Sequence, residues 1–265
     1  FSFMVVGFAQ GLTMGFTAIL SQRFGAGDHE GMRKVYAMST LLSIVISFLL
    51  TLIFTFLSRP MLKIVNTPEN ILDMAVEYIS IIYIFLIFQV LYNLYSGVLR
   101  SLGDSNSPLI FMIISAITNI ILDIVAIAVF HMGVGGAALA TVISQGISAL
   151  LCYIYIKKRF TILKPSKEEM KFDKSLSKVL LRVGLPGAFQ YSITAISCIL
   201  VQASLNNFGS DSVAAYSVAS KIENMVTQFY PALGIGISTY AGQNLGAGEL
   251  KRVRKGFRVS VYMNI

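Results

Sequence analysis

Seven stretches of this chain are each long enough to cross a lipid bilayer, and charge is almost absent from them. Residues 1–22, 35–58, 78–99, 132–156, 183–210 and 224–248 contain no Asp, Glu, Lys or Arg, and 105–130 is interrupted only by Asp123. A helix needs about 20 apolar residues to cross a hydrocarbon core of ~30 Å. Lipid offers backbone groups no water, so a spanning segment is a helix or part of a closed barrel, and none of these runs has the polar alternation of a barrel strand. Charged residues make up 13% of the chain, against roughly a quarter in a soluble domain. The expected fold is an all-α polytopic membrane protein with about seven spans plus the start of another.

The basic residues set the expected orientation. Counted in alternate connections, Lys and Arg number three in 23–34, one in 100–107, nine in 157–182 and five in 244–258. The other side holds Arg59 and Lys63, and Lys221 lies at the start of the last full span. So strong a bias puts the four basic segments in the cytoplasm. The net charge of +8 is thus a topology device, and no nucleic-acid partner is expected. The lipid bilayer is the expected environment, and segment 157–182 has a secondary capacity to touch anionic lipid.

Residues 1–44 also fall on 222–265 when the chain is shifted by 221 positions, and 13 of the 44 pairs are identical. Apolar identities carry little weight, but the polar junction does. Gln22-Arg23-Phe24-Gly25-Ala26-Gly27-Asp28 matches Gln243-Asn244-Leu245-Gly246-Ala247-Gly248-Glu249, and a basic pair follows each at the same distance. In each copy a span ends at glycine, an acid opens the next turn, and Arg and Lys anchor the following span. Both copies face the same side, so the repeat is parallel. The expected architecture is two lobes of six helices: an amino-terminal lobe over 1–157, a basic cytoplasmic linker over 158–177 and a carboxy-terminal lobe over 178–265. The shift also implies a further span ahead of Phe1 and most of four behind Ile265, so the spans are numbered two to nine and the chain is expected to be a fragment.

Asp123 is the foremost functional candidate, because a carboxylate within a span costs about 2.5–3.5 kcal/mol on insertion scales. Asn119 lies four residues earlier on the same helix face. Together they suit Na⁺ ligation or a hydration-dependent proton, with the Thr141 hydroxyl offered from the next span. The alternative is a packing hydrogen bond near the outer interface. Gln10, Gln190, Tyr191, Gln202 and Tyr230 suit a cavity for amphiphilic, often cationic, molecules, and each serves equally as helix glue. Pro231 is expected to kink the eighth span as a hinge, Pro186 to sit in the first turn of the seventh, and the glycines and alanines of 133–140 to pack the fifth and sixth spans closely. Cys152 and Cys198 read as small core hydrophobes. No catalytic triad, metal cluster or nucleotide loop stands out, so no enzymatic activity and no cofactor are expected.

Three motifs resemble those of the MATE multidrug and toxic compound exporters: the doubled Gln-x-x-Gly-Ala-Gly, Gly97-Val98-Leu99-Arg100-Ser101-Leu102-Gly103-Asp104 with Pro108, and Asn119-x-x-Leu122-Asp123 leading to Gly133-x-Gly135-Gly136-Ala137-Ala138-Leu139-Ala140-Thr141. The resemblance covers nearly the whole chain and is nearest the DinF-like, MepA-like branch. It implies a bacterial inner-membrane antiporter that exports drug-like compounds by alternating access, with H⁺ or Na⁺ as coupling ion and no obligate protein partner. It places the cation site at Asp123, Asn119 and Thr141, with Asn93 as the fourth-span amide. The seventh-span Glu of the NorM-like branch has no counterpart in Gln190-Tyr191-Ser192-Ile193-Thr194-Ala195. The rival readings are a lipid-linked oligosaccharide flippase, which wants mid-membrane cations these spans do not offer, and a seven-helix receptor or intramembrane enzyme.

Overall fold

A computed structural model describes residues 2–64, 67, 69–205 and 210–264, apart from the side chains of 202, 203 and 210–214. Among the described residues ten α-helices follow one another: α1 (Ser2–Gly25), α2 (His29–Ile64), α3 (Glu69–Ile84), α4 (Leu86–Ser101), α5 (Asn106–Ile124), α6 (Gly133–Arg159), α7 (Lys174–Leu205), α8 (Ser210–Thr227), α9 (Phe229–Gly246) and α10 (Leu250–Met263). A π-helical turn, Val125–Val129, extends α5, and a 3₁₀ turn, Thr161–Leu163, follows α6. Among the described residues α1, α2, α5 with its π turn, α6 and α7 are long and apolar enough to span a bilayer. The α3–α4 pair, bent by 46°, makes a sixth if it is one broken span.

The count differs from the seven expected because run 224–248 falls on two helices. Pro231 has no N–H to give the Thr227 carbonyl and its ring crowds that oxygen, so α8 ends at Thr227 and α9 starts at Phe229. The interruption that makes Pro231 a hinge candidate thus falls at Gln228. Pro186 is not a first-turn proline either: α7 begins at Lys174, so Pro186 lies well inside it.

α1 occupies the centre. It packs on α2, α4, α7 and α9, as a helix apolar on every face must. Its seam with α7 is made of glycine. A methyl group on Gly11 would strike the backbone of Gly187 and Ala188, one on Gly15 would strike Gly184, and one on Gly7 would lie 3.1 Å from the Tyr191 Cβ. Small residues at four-residue spacing let two backbones touch, and that contact is what holds helices together where lipid removes the hydrophobic incentive.

The main apolar cluster sits toward the end of the bundle that carries the basic segments, with Phe16, Leu20, Met32, Met38, Leu94, Leu99, Ile156 and Leu180. A smaller cluster around Val5, Tyr83, Leu86 and Val90 lies further along α1. Outward faces remain apolar: Phe48, Phe56, Ile117, Ile120 and Ile124 are all more than half exposed, which is how a helix surface meets acyl chains rather than water. Cys152 is fully buried, as expected, whereas Cys198 is exposed on α7.

The two repeated junctions have the same local structure. Gly27 and Gly248 take positive φ of 66° and 76°. Asp28 N–H donates to the Arg23 carbonyl at 3.0 Å, and Glu249 N–H to the Asn244 carbonyl at 2.8 Å. The side chains differ: Asp28 accepts the Gly31 N–H at 2.8 Å, capping α2, while Glu249 makes no such cap on α10.

Between α6 and α7 the chain folds back onto α2. The Arg33 Nε donates to both oxygens of Glu169 at 2.9 and 3.0 Å, and the Arg33 Nη2 lies 2.8 Å from Oε1. Glu169 also accepts the Ser166 N–H at 2.7 Å and its own N–H reaches the Ser166 hydroxyl, a reciprocal cap. Asp173 accepts the N–H groups of Ser175 and Leu176 to open α7.

Candidate functional site

Three of the four residues expected at the cation site share one cleft. Asn93 on α4, Asn119 on α5 and Thr141 on α6 line a polar pocket of about 270 Å³, together with Gln89, Tyr92, Ser115, Ser144 and Gln145. Two cross-helix bonds clamp its α5–α6 wall: the Ser115 hydroxyl donates to the Ser144 carbonyl at 2.8 Å, and the Ser148 hydroxyl to the Phe111 carbonyl at 3.0 Å. The Thr141 hydroxyl donates to Ala137 within its own helix at 3.0 Å, which leaves its oxygen lone pairs free to face a cation.

Asp123 does not line the pocket. It stands one turn beyond Asn119, at the point where α5 passes into the π turn, whose Phe130 N–H bonds back to Val125 at 3.1 Å. A π turn holds one residue more per turn and often marks a functional position within a helix. The Asp123 Oδ1 and the Asn119 Nδ2 are both buried with no hydrogen-bond partner among the described residues. The expected alternative, a packing hydrogen bond made by this pair, is therefore absent here. A buried carboxylate oxygen without a donor costs free energy unless a proton or a cation meets it. Gln89, Tyr92, Ser115 and Gln145 were not singled out from the sequence. Spacing could have found all but Tyr92: Gln89 and Asn93, Ser115 and Asn119, and Thr141 and Gln145 each stand four apart on one helix face.

The residues expected at a substrate cavity are scattered. Tyr191 belongs to the α1–α7 seam, where its hydroxyl lies 3.6 Å from the Met14 sulfur. Gln10 is half-buried on α1, while Gln190 and Tyr230 are exposed. The Gln202 side chain lies outside the described residues. The small-residue stretch of α6 packs on the fifth span as expected, and on α3 as well: a methyl group on Gly136 would lie 3.0 Å from Ala126 of the π turn that extends α5, and one on Gly135 would meet the Glu77 carboxylate of α3.

Comparison with known proteins gives this arrangement its relatives. The probable multidrug resistance protein YoeA of Bacillus subtilis is 30% identical over 99% of this chain and 58% of its own length, so the chain spans little more than half of that relative. Among solved structures, the outward-facing conformation of a multidrug resistance MATE family transporter of the MOP superfamily superposes with a TM-score of 0.88 at 23% identity, over 98% of this chain and 58% of that one. The inward-facing conformation of a MATE family transporter gives 0.78 at 23% identity, over 98% and 60%. The sequence pattern of the MatE family matches residues 1–125 and 186–265; this multi-pass membrane protein belongs to the MatE family.

Proposed function

We propose that this chain works in a cation-coupled antiporter that exports amphiphilic, often cationic, drug-like compounds by alternating access. Asp123 and Asn119, with Thr141 and Asn93 lining the adjoining cleft, take the coupling H⁺ or Na⁺. The observation that carries the reading is the pair of buried, partnerless polar atoms, Asp123 Oδ1 and Asn119 Nδ2, one helical turn apart beside the π turn. A proton or a cation at Asp123 removes an uncompensated charge, and it drives a conformational change only through its different affinity for two packings of the bundle. The names of relatives support the substrate class, since YoeA is described as a probable multidrug resistance protein. The basic segments face the cytoplasm of a bacterial inner membrane, and 1–157 and 178–265 belong to two lobes joined by the linker 158–177.

The test is drug efflux by cells making the full-length protein with Asp123→Asn. Efflux should fall to background while the amount of protein in the membrane stays at the wild-type level. Wild-type efflux in that variant would refute the assignment.

A further inference from the structure

Arg100 carries a charge that nothing in the described fold neutralises. Its Nε is buried without a hydrogen-bond partner, and among the described residues no carboxylate lies within ion-pairing distance of its guanidinium. The nearest acid along the chain, Asp104, is engaged elsewhere: it accepts the Ser107 N–H at 3.0 Å and the Ser107 hydroxyl at 2.7 Å. An arginine stays charged at any working pH, and an unpaired charge held away from water is costly. Neither the cation site nor the helix seams described above use this one.

Its place shows what such a charge can do. Arg100 stands in the last turn of α4, and a helical side chain leans back toward the N-terminus of its own helix. The guanidinium accordingly runs back along α4 and not out past its end: the titratable groups near enough to act on it are Tyr92, about two turns earlier, and Cys152 on α6. Tyr92 lines the cleft shared by Asn93, Asn119 and Thr141, and so does Ser148, one turn before Cys152. Arg100 thus sits beneath that cleft, between it and the end of the bundle that carries the basic segments. A fixed cation in poorly screened surroundings raises the energy of every second cation that approaches it, which is how an arginine lets a pore exclude protons and other cations.

We propose that Arg100 is a fixed electrostatic barrier at the inner floor of the cleft. It keeps a Na⁺ or H⁺ held in the cleft from slipping down between α4 and α6 into the cytoplasm, so that ion flux stays tied to substrate flux. The barrier is a charge and not a moving part. The inference rests on the cation-coupling reading above.

The experiment uses the full-length protein in sealed vesicles without substrate, with Na⁺ and pH gradients imposed in turn and cation entry read by dyes trapped inside. Arg100→Gln should speed entry of the coupling ion several-fold over the wild type while the trapped dye is retained, and Arg100→Lys, which keeps the charge, should stay near the wild-type rate. Arg59→Gln, an exposed arginine at the other end of the bundle, should change nothing. Wild-type entry in Arg100→Gln, or equal leaks in the Gln and Lys variants, would overturn the barrier and leave Arg100 an interfacial anchor only. If Arg100→Gln fails to reach the membrane, Cys152→Asp asks the same question by setting a carboxylate near the guanidinium: it should also speed entry, and an unchanged rate would overturn the proposal. Adding Asp123→Asn to Arg100→Gln separates the two readings. A leak that persists in the double variant keeps the barrier and counts against Asp123 as the ion's station, whereas a leak that vanishes supports both.

Discussion

The Gln243 side-chain amide donates to the backbone carbonyl of Ser101, 2.9 Å away, and so ties the second copy of the repeat to the end of α4. Ser101 is itself tied to the first copy, because its hydroxyl accepts from the Ser21 hydroxyl at 2.9 Å and lies 3.0 Å from the Thr17 carbonyl. Three helices from opposite ends of the sequence thus meet at one fully buried serine.

Gln243→Leu removes that bond without removing bulk. A hydrogen bond of this kind contributes about 1 kcal/mol net. Thermal unfolding of the full-length variant in detergent should show a midpoint lowered by a few degrees, and Ser101→Val, which also crowds Thr17 and Ser21, should lower it further.

The α1–α7 seam leaves less room. Gly11→Val or Gly15→Val places a branched side chain against backbone that cannot recede, and overpacking of this kind costs about 1–3 kcal/mol or more. Both variants should insert but lose thermal stability, measured as the fraction remaining monodisperse after heating. A wild-type profile would show that the seam is looser than the glycine contacts imply.

At Pro231 the two copies part company, since the position 221 residues earlier is Gln10 and α1 runs through it unbroken. Pro231→Gln should join α8 to α9 and gain part of the roughly 3 kcal/mol that an interior proline costs a helix. If the break is a working hinge, exchange should fall although stability rises, and paired stability and flux measurements check both.

The linker responds to acid. The Ser166 N–H first, and the Arg33 guanidinium with it, outweigh the penalty of burial and hold the Glu169 carboxyl below its ordinary value of 4.5. A depressed carboxyl stabilises the docked linker above its unfolded pKa and loses that contribution as pH falls through the folded one. Hydrogen exchange over 160–173 should therefore stay slow near neutrality and quicken only below about pH 4.5. Glu169→Gln should make it fast at every pH.

What was legible in the sequence was whatever depends on charge and repetition. The helical membrane fold follows from uncharged runs, and the twin junctions from matched glycines whose positive φ at Gly27 and Gly248 the structure repeats. Asn119 and Thr141 could be marked because polar groups are costly in lipid and Asn93 only through the family resemblance, and the three do meet in one cleft. Other features depend on what a residue faces, which periodicity does not encode. Cys198 and Cys152 look alike in sequence, yet one is exposed and the other buried. The bend at Phe85 between α3 and α4 has no proline or glycine at the break to announce it. Pro186 is expected in a first turn because the uncharged run starts only at Val183, whereas Lys174 to Arg182 are already helical.

The central claim is tested most directly with the full-length protein in sealed vesicles, measuring substrate flux while a pH gradient and a Na⁺ gradient are imposed separately. One of the two gradients should drive substrate against its own gradient in the wild type, and Asp123→Asn should abolish that response. Flux indifferent to both gradients, or equally driven in the variant, would contradict cation coupling at Asp123.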